Sequence, residues 1–252
     1  MPMQWPMRRQ LFLFSFFAVF VFAVVGWVIY KFSPAPTCFD KKLNQSEERV
    51  DCGGECEPCV GNPEDLVTFW VRPFAIGLGR YEAAALIENP NLRAGARELA
   101  YKIHLFENNI LVAMKEGTTF LNPRDKFLIF ESNIATGERR PDRAQIEFRE
   151  IRWKVFDRER PNVLVSSKTF EPTLSGNGRV RVVLKNQTLF SINDVYVSAA
   201  LMDARGNALG VSASKVDRIG AEGMREVFFT WPHPFEPAPS NIEVFVRTNL
   251  TE

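Results

Sequence analysis

The chain has 252 residues, 46% of them hydrophobic, with 31 lysines and arginines against 30 aspartates and glutamates. This balance lacks the basic excess with which proteins neutralise nucleic-acid phosphates, so the sequence predicts no nucleic-acid partner. Without residues 1–30, the count is 29 basic to 30 acidic residues, and the conclusion does not change.

The first predicted element is a helix in an apolar run from Leu11 to Tyr30. About 20 apolar residues that rise 1.5 Å each match the roughly 30 Å hydrocarbon core of a bilayer, and this run carries no charge. The sequence therefore predicts a transmembrane helix over residues 11–31 that contacts the lipid bilayer through residues 11–30.

The flanks of this run predict its orientation. Arg8 and Arg9 precede it, so the positive-inside rule places residues 1–10 in the cytoplasm as a short tip, although Lys31 follows the run. A cleaved signal peptide is the alternative, but it would have a shorter apolar region of about 7–15 residues and small residues at the cleavage site. The candidate cleavage region, residues 32–36, is rich in proline. We expect an uncleaved signal anchor with the C-terminal domains outside the cytoplasm.

A cysteine-rich segment follows the helix at residues 38–59. It contains all four cysteines of the chain: Cys38, Cys52, Cys56 and Cys59. An even number of cysteines in a compact exported segment predicts two disulfides, in any of three connectivities. Four thiolates could instead hold a tetrahedral zinc ion if this region faced a reducing cytosol.

The spacing of this segment is Cys-x-Asp-x3-Asn-x2-Glu-x3-Asp-Cys-Gly-Gly-x-Cys-x2-Cys, from Cys38 to Cys59. It resembles a cysteine-rich module of exported bacterial and archaeal surface proteins, often found beside β-sandwich domains, in which Gly stands at the position of Lys41. The resemblance implies an extracytoplasmic site and no particular activity.

The same segment offers oxygen atoms of the kind that Ca2+ prefers. They belong to Asp40, Asn44, Glu47, Glu48 and Asp51. Since Ca2+ takes six to eight oxygen ligands, a calcium site is one interpretation. The other, which we favour, is that these side chains cap turns in a small disulfide-bonded knot.

The chain after the linker at residues 60–63 alternates with the period of a β-strand. Clear apolar sets are Tyr101-Ile103-Leu105, Val180-Val182-Leu184 and Val195-Val197-Ala199-Leu201, with residues such as Lys102, Arg181 and Ala200 expected on the opposite faces. Turn-forming residues such as Gly206 separate these runs. Short strands at this spacing predict an all-β fold built from sandwiches.

The β region also repeats itself. Asn89 and Asn186 each end a predicted strand, and the strands that follow them agree in order and pattern. A period of roughly 95 residues is the size of one sandwich domain. We therefore predict two tandem domains, at residues 64–157 and 162–250, joined near Pro161.

The second repeat carries a further pattern. It consists of Asn186-Gln187-Thr188, the hairpin sequence at residues 200–210 and the closing Phe-x-Trp-Pro that ends at Pro232. This pattern resembles the small immunoglobulin-like, FxLYD-like domains of bacterial envelope proteins. The resemblance implies two tandem immunoglobulin-like β-sandwiches but little about function, because such sandwiches are scaffolds for unrelated sites.

No motif for catalysis or for a cofactor occurs in the sequence. The two histidines, His104 and His233, have no cysteine or carboxylate partner at a motif spacing. A P-loop, a dinucleotide fingerprint, a nucleophile elbow and a zinc-protease motif are all absent from the sequence. The sequence therefore predicts a protein that is not an enzyme and that uses no cofactor.

These features predict a single-pass membrane protein of the cell envelope with an interaction or structural function. Its partner would be another envelope protein. The alternative is a ligand-binding receptor or accessory subunit that recognises a carbohydrate or a peptide. One loop, residues 138–143, concentrates Arg139, Arg140 and Arg143, so it could meet an acidic partner or could be an ordinary solvated loop.

Overall fold

The computed structural model describes residues 5–32, 36–57, 59–172, 177–236 and 238–252. The chain divides into two compact units, Met1–Cys59 and Val60–Glu252. The first unit holds one helix and the cysteine-rich segment, and the second is all β. Residues 1–4 of the predicted tip and residues 33–35 of the candidate cleavage region lie outside the described residues.

The helix α1 spans Trp5–Phe32. It begins six residues before the predicted start. Pro6 lies in its first turn, where backbone N–H groups have no acceptor within the helix, so the N–H that proline lacks costs the helix no hydrogen bond. From Gln10 to Lys31 the mean hydropathy is 2.6 and none of the helix is buried. The helix is therefore long and apolar enough to cross a bilayer, as the sequence predicts.

The β unit begins with one sandwich. Its strands are β1 (Val67–Gly77), β2 (Arg80–Asn89), β3 (Ala94–Glu107), β4 (Ile110–Leu121), β5 (Asp125–Ala135), β6 (Arg143–Phe148) and β7 (Lys154–Val155). One antiparallel sheet has the order β1-β2-β5, and the facing sheet has the order β4-β3-β6, with β7 paired to the start of β3. Pro73 lies in the edge strand β1, where a missing N–H donor costs the sheet no bond.

A second sandwich repeats this arrangement. Its strands are β8 (Val163–Pro172), β9 (Gly178–Asn186), β10 (Ile192–Met202), β11 (Ala208–Ile219), β12 (Met224–Thr230) and β13 (Asn241–Arg247). One sheet has the order β8-β9-β12 and the other β11-β10-β13. Strands β8 to β13 occupy the same places in these sheets as β1 to β6 do in the first sandwich. The sequence repeat therefore corresponds to two sandwiches with the same strand order.

Each sandwich has its own apolar core between its two sheets. In the first, Ile87, Ile103, Leu105 and Phe127 are fully buried. In the second, Val182, Leu184, Val197, Leu201 and Phe229 occupy the same kind of position. The inward-facing residues expected from the alternation are therefore confirmed in β3, β9 and β10.

A third apolar cluster lies between the two sandwiches. Its buried members are Ala84, Leu86, Leu128, Ala200, Met202, Ala208 and Val211. They come from the outer face of sheet β1-β2-β5 and the outer face of sheet β11-β10-β13, which makes the unit a stack of four sheets. Ala200 lies on the face of β10 opposite Leu201, as the alternation predicts, and at this position that face is buried as well.

Candidate functional site

The four cysteines form two disulfides, Cys38–Cys56 and Cys52–Cys59. The structure thus selects one of the three connectivities that the sequence left open. Gly54 lies in the tight turns between the bridges with φ near +61°, and a Cβ there would come within 2.4 Å of the Ser46 carbonyl oxygen. A glycine is therefore required at this position.

The proposed calcium ligands serve as turn caps in the structure. Asp40 accepts hydrogen bonds from the Lys42 backbone N–H (2.9 Å) and from Asn44 Nδ2 (2.7 Å). The hydrogen bond from the Asn44 side chain holds the pKa of Asp40 below its usual value. Glu47 Oε2 accepts from the Asn44 backbone N–H, and Asp51 Oδ1 accepts from the Lys41 backbone N–H. These bonds engage oxygens of Asp40, Glu47 and Asp51 with local donors, whereas Asn44 Oδ1 is buried without a hydrogen-bond partner among the described residues.

One further group has ligand atoms close together, namely Cys38, Glu47 and Cys56. Its two sulfur atoms are bonded to each other, so neither is the thiolate that a metal ion requires. A single carboxylate remains. This group therefore fits neither zinc nor calcium.

A buried ion pair joins the two sandwiches. Arg247 of β13 and Asp125 of β5 are 7% and 1% exposed, and Arg247 Nε donates to Asp125 Oδ2 at 2.8 Å. Burial lowers the pKa of Arg247, whereas the charge of Asp125 raises it. The guanidinium also donates to the carbonyl oxygen of Phe120 at 2.7 Å and lies within about 4 Å of the ring centres of Phe120 and Phe127. The pair is thus held by hydrogen bonds and cation–π contacts together.

The segment after β13 is fixed to the first sandwich through Asn122. Asn122 Nδ2 donates to the Thr248 carbonyl oxygen at 3.0 Å, and Asn122 Oδ1 accepts from the Leu250 backbone N–H at 3.0 Å. Arg97 Nε donates to the Thr251 carbonyl oxygen. Polar contacts therefore rim the apolar cluster and fix how the sandwiches meet.

A cleft of about 330 Å³ opens beside this ion pair. Its walls include Tyr101, Tyr196, Ser198 and Lys215, which come from both sandwiches. The Tyr101 hydroxyl donates to Glu131 Oε1 at 2.8 Å, and burial together with this bond raises the pKa of Tyr101.

Gly117 stands opposite Tyr101 on strand β4. A Cβ at Gly117 would lie 2.4 Å from both Glu131 Oε1 and the Tyr101 hydroxyl. The pair of Tyr101 and Glu131 therefore occupies space that the glycine leaves open.

The histidines lie far apart in the fold and among aromatic rings. His104 is on the outer face of β3 beside Phe106, with ring centres 6.3 Å apart, and His233 is 5.4 Å from the Phe235 ring centre. Within the described residues, no hydrogen bond to a carboxylate is found for either ring. Neither histidine is placed as an acid–base pair would require.

The arginine-rich loop is partly paired with its own surroundings, through a salt bridge of Arg139. Arg139 donates to Glu107 at 3.0 Å, and the Arg140 backbone N–H donates to the same carboxylate. Both bonds lower the pKa of Glu107. Arg143 stacks over the ring of Phe106, 4.6 Å from its centre.

The two ends of the four-sheet stack are exposed sheet faces. We call the outer face of β4-β3-β6 the first end face; it carries His104, Phe106, Leu111, Met114 and Glu147. We call the outer face of β8-β9-β12 the second end face; it carries Arg179, Arg181, Val183, Glu226 and Phe228. Leu111, Met114 and Phe228 are 52%, 50% and 48% exposed. These faces are the candidate binding surfaces of the unit.

Sequence reasoning missed the ion pair and the apolar cluster between the sandwiches. The signal for the cluster was present, since β2 reads Ala-Ala-Ala-Leu-Ile over residues 83–87 and β5 reads Phe-Leu-Ile-Phe over residues 127–130. Such unbroken apolar runs indicate strands that are buried on both faces. No pattern signals the pairing of Asp125 with Arg247, which are 122 residues apart.

No protein-family model matches the chain, and no curated protein matches it.

Proposed function

We propose that this chain is a membrane-anchored protein of the cell envelope whose β unit lies outside the cytoplasm and binds another envelope component. The observation that carries the proposal is an exposed apolar helix that ends at Phe32 and is followed by two disulfides between Cys38 and Cys59. Disulfides persist in oxidising compartments and are rare in the cytosol. The side of the membrane that follows α1 is therefore extracytoplasmic in this proposal, and the basic residues before α1 are cytoplasmic.

The organisation of the β unit supports an interaction function. Its buried charges, Asp125 and Arg247, join the two sandwiches and are almost fully shielded from solvent. Its exposed end faces carry methionine, phenylalanine and arginine, residue types that are enriched in protein–protein interfaces. This combination suits a rigid module that presents a surface.

Thiol labelling tests the topology. We expect Leu78→Cys, at a fully exposed turn of the β unit, to react with a membrane-impermeant maleimide in intact cells, because the native cysteines are bonded. The matched variant Gln10→Cys, at the start of the apolar segment, should react only after lysis. The opposite pattern contradicts the orientation, and recovery of a shortened soluble chain would establish a cleaved signal.

The cleft beside the ion pair favours a second candidate, recognition of a carbohydrate or a peptide. Exposed Tyr196 supplies a ring for stacking, and Ser198 and Lys215 supply polar groups. Calorimetric titration of the full chain with oligosaccharides and short peptides tests this candidate. Binding that Tyr196→Ala weakens at least tenfold would support it, and no binding at millimolar ligand would dismiss it.

A further inference from the structure

The contact between the two sandwiches joins two different kinds of face. One partner is the outer face of β1-β2-β5, and the other is the outer face of β11-β10-β13. In the repeated topology, the first corresponds to sheet β8-β9-β12 and the second to sheet β4-β3-β6. The internal contact is therefore head to tail, and it leaves one face of each kind free at the two ends of the stack.

The free faces can be compared with the buried ones through the strand register. In the internal contact, Ala200 pairs with Val211 and Met202 with Ala208. In the first sandwich, β3 and β4 are the counterparts of β10 and β11. The equivalent cross-strand pairs on the first end face are His104 with Met114 and Phe106 with Leu111. At these four positions the first end face carries larger side chains than the internal contact, and three of them are apolar.

The second end face shows a more polar version of its buried counterpart. In the internal contact, Ala84 pairs with Phe130 and Leu86 with Leu128. Asn89 and Asn186 are equivalent residues at the ends of β2 and β9, so positions at the same distance before them correspond. The pairs that correspond on the second end face are Arg181 with Phe228 and Val183 with Glu226. One aromatic ring is kept, and a cation is added beside it.

Charged side chains replace apolar ones on both end faces. Glu147 on the first end face occupies the position equivalent to Phe245, since Ala144 and Ile242 pair with Leu105 and Leu201. Phe245 and Ala84 belong to the same internal cluster. An equivalent contact would therefore bring the Glu147 carboxylate into one cluster with the Arg181 guanidinium, which also pairs with Glu171 and Glu226 on its own face.

We propose that the partner of the end faces is a second copy of this chain, whose first end face stacks on the second end face of its neighbour as the two sandwiches stack within one chain. A contact of this kind does not close on itself, so successive copies form an open row. This inference names the partner in the proposed function. It rests on the proposed function because the membrane anchor confines the copies to one membrane. Confinement raises the effective concentration of a contact that is more polar than the internal one.

Photo-crosslinking of the full chain, purified and reconstituted into liposomes, tests the stacking. A benzoylphenylalanine replaces Phe228, a conservative change at an exposed site. We expect dimers and longer ladders in which position 228 is joined to residues 102–116 or 143–148 of another copy. The same group in place of Leu189, an exposed loop residue outside both end faces, should give no such ladder.

A charge introduced into the first end face tests the same contact independently. Met114→Glu places a charge at the centre of the first end face and should lower the yield of dimer roughly tenfold, whereas Leu78→Glu, in an exposed turn, should not. Adducts between two copies of position 228, or a purified chain that gives no dimer, would overturn the stacking and leave the proposed topology intact. Adducts with a different protein alone, in native membranes, would retain the proposed function and reject the second copy.

Discussion

Asn186 ends strand β9 and joins two loops to it. It is fully buried, and its Nδ2 donates to the carbonyl oxygens of Phe190 (2.7 Å) and Gly220 (2.8 Å). Asn89 is the corresponding residue of the first sandwich, and its Nδ2 donates to the carbonyl oxygens of Ala94 and Asn122. Each sandwich therefore uses one buried amide at the same point of its topology.

We predict that Asn186→Asp lowers the free energy of unfolding by about 2–4 kcal/mol, because it replaces a donor with a carboxylate that faces two carbonyl oxygens. Denaturation of the full chain in detergent, followed by fluorescence, measures this change. The matched control is Asn193→Asp, an exposed position, with an expected change below about 0.5 kcal/mol. Equal effects of the two substitutions would contradict this role of Asn186.

A second prediction concerns the buried ion pair. Asp125→Ala leaves the Arg247 guanidinium buried without its counter-charge, and we expect a loss of about 3–5 kcal/mol in unfolding free energy. Asp194→Ala, which breaks the exposed ion pair with Lys215, should cost less than about 1 kcal/mol. In the double variant Asp125→Ala/Arg247→Met, the loss should be smaller than in Asp125→Ala alone. A larger loss in the double variant would mean that the two side chains act independently.

Among the elements, the hairpin between β10 and β11 has a pH-dependent turn. Asp203 Oδ1 accepts from the backbone N–H of Arg205 (2.8 Å) and of Asn207 (2.7 Å), and Oδ2 accepts from Asn207 Nδ2 (3.0 Å). The hydrogen bonds from Asn207 lower the pKa of Asp203 below its usual value. The ionised carboxylate therefore favours the folded hairpin.

We predict that this contribution is fully present above pH of about 4 and is lost as the pH falls through the lowered pKa of Asp203. Melting temperatures of the full chain between pH 2.5 and 7 measure it. In Asp203→Asn, the melting temperature at neutral pH should be lower and its decrease on acidification smaller than in the wild type. An unchanged decrease would show that other carboxylates account for the acid sensitivity.

The strands illustrate what the sequence can and cannot predict. Alternation in β3, β9 and β10 correctly predicted Leu105, Leu184 and Leu201 as core residues, because a strand with one buried face shows period two. The alternation did not show that the opposite face of β10 is buried around Ala200, since a strand segment between two cores has no polar face to reveal its period. Disulfide formation followed from composition and context, but the connectivity depends on the turns at Gly53 and Gly54, which only the folded segment shows.

On the scale of the whole β unit, the third cluster couples the two repeats. The sequence repeat predicts two tandem domains. The cluster buries Ala84 and Leu128 of the first sandwich against Met202 and Val211 of the second. Separating the sandwiches would expose these side chains to water, at a cost of about 25 cal/mol per Å² of apolar surface.

We therefore predict that Leu128→Asp, in the first sandwich, also lowers the unfolding midpoint of the second. In a variant that retains Trp231 and has phenylalanine at the other tryptophans, fluorescence reports on the second sandwich, where Trp231 is buried. Leu92→Asp, exposed in the first sandwich, is the control and should leave this midpoint unchanged. Independent domains would show no shift of the Trp231 signal in either variant.

The doubly buried strand β2 also has a consequence for biosynthesis. The ribosome makes the first sandwich before the second, and about 90 further residues take roughly 5–18 s at ordinary elongation rates. During this interval Ala84, Leu86 and Leu128 have no covering layer. A nascent chain with such a face is prone to aggregation, and we expect it to depend on a holding chaperone at the export site until the second sandwich has emerged.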